Sequence, residues 1–256
     1  MHSLSRSFIS TLIVRRIQFL LSFRGSHGLQ MFTITRERGE LGHLAPLVKD
    51  FVRATPSANM WRPALALILA ELGELDAAKT ELSALAADDF RAIPRDSLWL
   101  MSLAYLSEVC GMVRNPEHAR GLYALLGPWQ GRNVIAGSVV VCYGPVDRFL
   151  GTLCHVLECW DDAERHFQAA VEMNSRQEST PWLAHTQYCY AAMLLERNRD
   201  GDMQRAHTLM ASAAEVAEDL DMQSLQHRLG ELERLIRVRR PATLHPAGLS
   251  PAKCRC

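Results

Sequence analysis

One ladder of residues occurs three times in this chain at the same spacing. In its clearest copy, Leu150 and Gly151 are followed by Cys154, Trp160, Ala163, Phe167 and Ala170. Leu65, Ala66, Leu69, Leu75, Ala78, Leu82 and Leu85 repeat every step, and Met31, Phe32, Thr35, Leu41, Leu44, Val48 and Phe51 repeat them with other side chains. Steps of three and four align residues on one face of a helix. A small residue on a first helix set against a small residue on a second lets the two approach closely, while the large residues fill the space toward the next pair. The ladder therefore predicts stacked helical hairpins, with the close approaches at Ala66 and Ala78, Ala104 and Ala119, Gly151 and Ala163, and Ala191 and Ala206.

Between Leu44 and Ala78 the pairing position recurs after 34 residues, which is the tetratricopeptide period. The next equivalents, Ala119, Ala163 and Ala206, follow at steps of 41, 44 and 43 residues, the extra length falling in turns. Pro116 suits the first turn of a second helix because it lacks the N–H left unpaired there. The turn "ERNRDGDM", with Gly201 and its charges, reads as an exposed loop. The expected fold is thus an all-α, right-handed α-solenoid of five tetratricopeptide-like hairpins. A final helix from Met222 to about Val238 caps it, with Leu225, Leu229, Leu232 and Ile236 forming its buried stripe. The segment "GPWQGRNVIAGSVVVCYGP" breaks the pattern and leaves three alternatives open: a short strand, an extended loop or an early start of the next helix. Residues 29–238 form the repeat domain on this reading. Residues 1–28 are a basic N-terminal segment, partly helical, and 239–256 are a disordered basic tail.

Composition narrows the function. A chain of 256 residues with 48% hydrophobic content can bury a substantial core. Lysine plus arginine equals aspartate plus glutamate at 28 each, so no overall field favours nucleic acid or an anionic membrane. Seven cysteines form an odd set without a regular framework, which points to free thiols and a reducing compartment. Arg6, Arg15, Arg16 and Arg24 precede the first acidic residue, Glu37, a bias shared with transit peptides. The apolar run from Phe8 to Val14 is cut by Arg15 and Arg16, too short to span a membrane, so a cytoplasmic location is expected.

The stretch "GRNVIAGSVVVCYGPVDRFLGTLCHVLECWDDAERHFQAAVEMN", followed by "PWLAHTQYCYAAMLLE", resembles the C-terminal helical-repeat region of large bacterial signalling ATPases of the STAND type. The resemblance covers roughly residues 29 to 230, including "ELGELDAAKTELSALAADDF". In that family a cyclase domain stands in front of the nucleotide-binding module and repeats, or a LuxR-type DNA-binding domain stands behind them. The chain carries no G-x-x-x-x-G-K-[ST] phosphate cradle and no cyclase-like stretch. "HPAGLSP" is similar to the linker into a LuxR-type helix-turn-helix, but the chain then reads "AKCRC". The resemblance implies the sensor or scaffold portion of a signal-transduction or transcription regulator, as a truncated or split relative.

Candidate chemistry is sparse. Cys154 and His155 point about 100° apart on one helix and Cys159 lies beyond them, so they do not converge as metal ligands would. His155, His166 and His185 fall on helices outside any catalytic motif, and no nucleophile, base and acid are assembled. No cofactor, no metal and no catalytic residue is assigned. Relative to the ladder, Met101, Tyr105, Arg148, Thr152, His155 and Tyr188 fall on the inner side of the first helices, where aromatic rings and a cation can hold a guest. The expected partner is a protein or peptide, or a small-molecule inducer, with no nucleic acid and no membrane. Two other readings stand beside this one. The basic C-terminal region, Arg234, Arg237, Arg239, Arg240, Lys253 and Arg255, could touch DNA phosphates, and the chain could be a fragment of a cyclase or ATPase.

Overall fold

The computed structural model describes residues 25–54, 61–137 and 140–239. The basic stretch before Gly25, the tail after Arg239 with Cys254 and Cys256, and the side chain of Phe51 lie outside the described residues. The described chain is helical apart from one pair of short strands. Helices α1 (Gly25–Glu37), α2 (Ala45–Ala54), α3 (Arg62–Glu71), α4 (Leu75–Ala86) and α5 (Trp99–Val113) come first. α6 (Pro116–Leu126) leads through a short 3-10 turn to strands β1 (Asn133–Ala136) and β2 (Val141–Pro145), which pair with each other. α7 (Val146–Val156), α8 (Trp160–Arg176), α9 (Thr180–Arg197), α10 (Asp202–Asp219) and α11 (Gln223–Arg239) complete the chain. No described helix is long and apolar enough to cross a membrane.

The open question about "GPWQGRNVIAGSVVVCYGP" resolves as a two-stranded hairpin. The chain as a whole separates into two compact units. The first takes in the described residues up to Val113 together with Val134–Tyr143, and the second takes in Arg114–Asn133 and the described residues from Gly144 onward. The boundary falls inside the third sequence pair, so Ala104 and Ala119 belong to different units. Within the second unit α6 packs against α7.

In each unit the small residues sit where the helices meet. Ala66 and Ala78 are fully buried, and α3 packs on both α4 and α5. In the second unit α7 packs on α8, α8 on α9 and α9 on α10, while α7 also touches α9 and α9 touches α11. Ala163, Ala191 and Ala206 are fully buried in this core, along with Phe167, Leu194, Ala213 and Leu225. The closest approach differs in one respect from the small-against-small rule. A Cβ built on Gly151 would lie 2.9 Å from the ring of Phe167, so the glycine makes room for a large neighbour. Leu75 and Met31, both rungs of the ladder, are exposed instead of packed. Leu75 is the first residue of α4, where the stripe has not yet turned inward.

The turns share a backbone device. Gly39, Gly73, Arg114, Glu158, Glu178, Asn198 and Asp221 all have φ between 51° and 77°, the left-handed conformation. After α3, α7, α8 and α10 the amide of this residue donates three residues back, Gly73 to Ala70, Glu158 to His155, Glu178 to Ser175 and Asp221 to Glu218. The next amide donates five back: Glu74 to Leu69, Cys159 to Cys154, Ser179 to Asn174 and Met222 to Ala217. These bonds satisfy carbonyls that the ending helix leaves open and send the chain straight into the following helix. α6 starts differently, with Pro116 in its first position and the Asn115 side chain accepting the His118 amide at 3.0 Å.

Candidate functional site

α7 carries Arg148, Thr152 and His155 at steps of four and three, so they share one stripe. Arg148 is buried to 2% exposure, with its guanidinium carbon 4.2 Å from the Phe149 ring centre and 5.5 Å from that of Trp182. Trp182 lies so close to the backbone at Gly144 that a Cβ there would approach it to 3.0 Å. The indole also stacks on His185, ring centres 5.4 Å apart. Thr152 spends its hydroxyl on the Arg148 carbonyl, 3.0 Å away. Arg148 is therefore an interior cation held among aromatic rings, and its charge is not offered to solvent.

His155, at the C-terminal end of the stripe, is buried but meets partners that reach solvent. Its Nε2 lies 2.9 Å from Glu196 Oε2 on α9 and 3.2 Å from Arg114 Nη1. Arg114 also donates to Glu196 Oε1 through Nη2. One ring nitrogen cannot donate to the carboxylate and accept from the guanidinium at once, so only one of these two contacts is a hydrogen bond in a given tautomer. Glu196 has its pKa lowered, first by the hydrogen bond from His155, against the opposing effect of burial. Farther along the odd-numbered helices, half-buried Tyr188 on α9 has Arg228 of α11 over its ring at 5.4 Å. Arg114 and Glu196 expose 42% and 36% of their side chains, so charges of both signs reach solvent at this cluster.

Met101 and Tyr105 are placed elsewhere. They lie in the first unit, on α5, and the six residues read from sequence as one inner wall are divided between the two units. Both are buried, because α5 is enclosed on all sides: Ser102 to Cys110 are buried without a break. Around Tyr105 the cover comes from Tyr143 of β2, which meets it edge-on with ring centres 5.2 Å apart, and from Phe32 of α1 at 5.8 Å.

Two polar networks were not legible as such in the sequence. Buried Asp147 accepts the Gly131 amide at 2.7 Å and pairs with His166 Nδ1 at 2.8 Å, and His166 Nε2 lies 3.1 Å from the Tyr123 hydroxyl. A carboxylate, a histidine and a hydroxyl in this order form the chain by which a nucleophile is activated. Here His166 and Asp147 expose only 1% and 2% of their side chains, and the arrangement fastens the loop before β1 to α7, α8 and α6. The second network centres on Glu164. It accepts from Arg197 and Arg205 at 2.5 Å each and from the Tyr190 hydroxyl at 2.8 Å. Arg197 also grips Asp202 through Nε and Nη2 at 2.8 and 2.7 Å. Burial would raise the Glu164 pKa, but the hydrogen bonds from Arg197, Arg205 and Tyr190 hold it down at about 2. Burial and the bond to Glu164 push Tyr190 up to about 12.

Cys154 and Cys159 are buried in the core of the second unit, and among the described residues no group of three or more His, Cys, Asp or Glu is placed to hold a metal ion. On α11 the basic residues alternate with acids: Arg234 lies 3.9 Å from Glu231 and Arg237 3.6 Å from Glu233. No known protein family, no curated protein and no solved structure matches this chain.

Proposed function

We propose that the chain is a non-catalytic helical-repeat interaction module, whose second unit is a run of tetratricopeptide-like hairpins closed by α11 as a cap. It binds a protein or peptide, and serves as the sensor or scaffold of a signal-transduction or transcription regulator. One observation carries the reading: α7, α9 and α11 touch in succession while each also packs on an even-numbered neighbour, so first helices stack on first helices. A surface built this way repeats side chains at regular intervals; here it carries the hydrogen-bonded Arg114, His155 and Glu196 and, separately, Tyr188 with Arg228 over its ring. A guest that prefers one arrangement of the stacked helices shifts the population toward it.

The test is photo-crosslinking with a benzophenone amino acid in place of Tyr188, in cells, followed by titration of the purified partner. The expected result is a protein adduct whose partner binds the purified chain and binds Arg228→Glu about tenfold more weakly, with unchanged helical circular dichroism. Turnover of ATP or GTP by the purified chain, or equal binding by the variant, would reject the reading.

A further inference from the structure

Independently of that face, the first unit contains a site already filled by the chain itself. Arg36 of α1 is 1% exposed and reaches two carboxylates from different helices. Nε and Nη2 donate to Glu71 Oε1 of α3 at 3.0 and 2.6 Å, and Nη2 also donates to Glu108 Oε2 of α5. The guanidinium carbon lies 5.6 Å from the ring centre of Tyr143 on β2. Phe32, one turn before Arg36, meets Tyr105 with ring centres 5.8 Å apart. Two acids and aromatic rings around one planar cation are what recognition of an arginine side chain requires.

The acids and the tyrosines come from α3, α5 and β2, and the cation comes from α1. α1 approaches α3 and α5 much less closely than those two approach each other, so it is held through side chains. Its outer face leaves Met31 and Ile34 exposed, and it joins the rest of the unit through a turn at Gly39, whose φ is 71°. Arg36 Nη1 has no hydrogen-bond acceptor, so the cation does not use the full fork it presents. We propose that α3, α5 and β2 form a receptor for an arginine carried on a helix, and that α1 is the occupant supplied in cis, displaced when a partner's arginine-bearing helix enters.

Removing the guanidinium while keeping the chain whole exposes the site. The full-length Arg36→Ala chain is titrated with a fluorescent synthetic peptide covering residues 25–38, and with the same peptide carrying alanine at position 36. The arginine peptide should bind the variant at least about tenfold more tightly than the alanine peptide does, and about tenfold more tightly than it binds the parent chain, whose site is filled. Equal binding of the two peptides, or no binding by a folded variant, overturns the proposal. A second measurement on the unaltered chain decides it should the variant not fold. Backbone amides of residues 29–37 are expected to exchange with solvent at least about tenfold faster than those of α3 and α5, as a helix that detaches alone must. Exchange at the same rate in all three helices overturns it equally.

Discussion

Gly151 has no side chain, and the volume a methyl group would need is already taken by the Phe167 ring, 2.9 Å from where a Cβ would stand. A ring packed on all sides cannot yield as the end of a flexible chain can. Gly151→Leu is therefore expected to lose about 1 to 3 kcal/mol in urea unfolding, with the larger part recovered when Phe167→Ala is added. Gly230, on α11, is the counterpart with nothing within 4 Å of its would-be Cβ. Gly230→Ala should gain about 0.5 to 1 kcal/mol, the usual benefit of removing a glycine from a helix interior. If both substitutions shift the urea midpoint in the same direction, the packing at Gly151 is not as described.

The turns are the elements in which this chain stores conformational cost. Glu158, Glu178 and Asp221 hold the left-handed position that Gly73 holds after α3. Glu158→Gly should stabilise by up to about 1 kcal/mol, Asp221→Gly by somewhat less because it also removes the exposed bond from Gln223 Nε2 to Asp221 Oδ1, and Gly73→Ala should cost about 1 kcal/mol through its backbone preference. Thermal melts of the three variants would check the two opposite signs. The α9–α10 connection depends on charge as well. Glu164, at about 2, and Asp202 both have depressed pKa values in the folded chain. Their stabilisation is complete above the unfolded carboxylate pKa of about 4, and it is lost as pH falls from there toward 2. Glu164→Gln should flatten this acid limb, as followed by circular dichroism against pH. The helices themselves were legible from spacing: Ala66, Ala78, Ala163, Ala191 and Ala206 are all fully buried where the ladder placed them. The polar clamps were not, because Arg36 and Glu108 lie 72 residues apart and nothing in either helix marks them as partners. The enclosure of α5, and with it of Met101 and Tyr105, was hidden for a related reason. Tyr105 is covered by Phe32 of α1 and by Tyr143 of a strand whose segment carries no helical period, and such contacts between distant segments are not supplied by local pattern.

Each unit has its own buried set, and the consequence is that damage should stay where it is made. Ala78→Leu forces α3 and α4 apart, and is expected to raise amide exchange across residues 61–113 while leaving α7 to α11 at parental rates. Ala206→Leu should do the reverse, and exchange that rises uniformly in both variants would contradict the division into two cores. The pattern of neighbours in the second unit bears finally on how quickly it assembles. Its principal helix contacts reach the next helix or the one after that and go no farther along the chain. Little loop entropy has to be surrendered before a contact repays it, so refolding from denaturant should be fast for a body of this size. It can nucleate at any hairpin, with no obligatory meeting of distant ends.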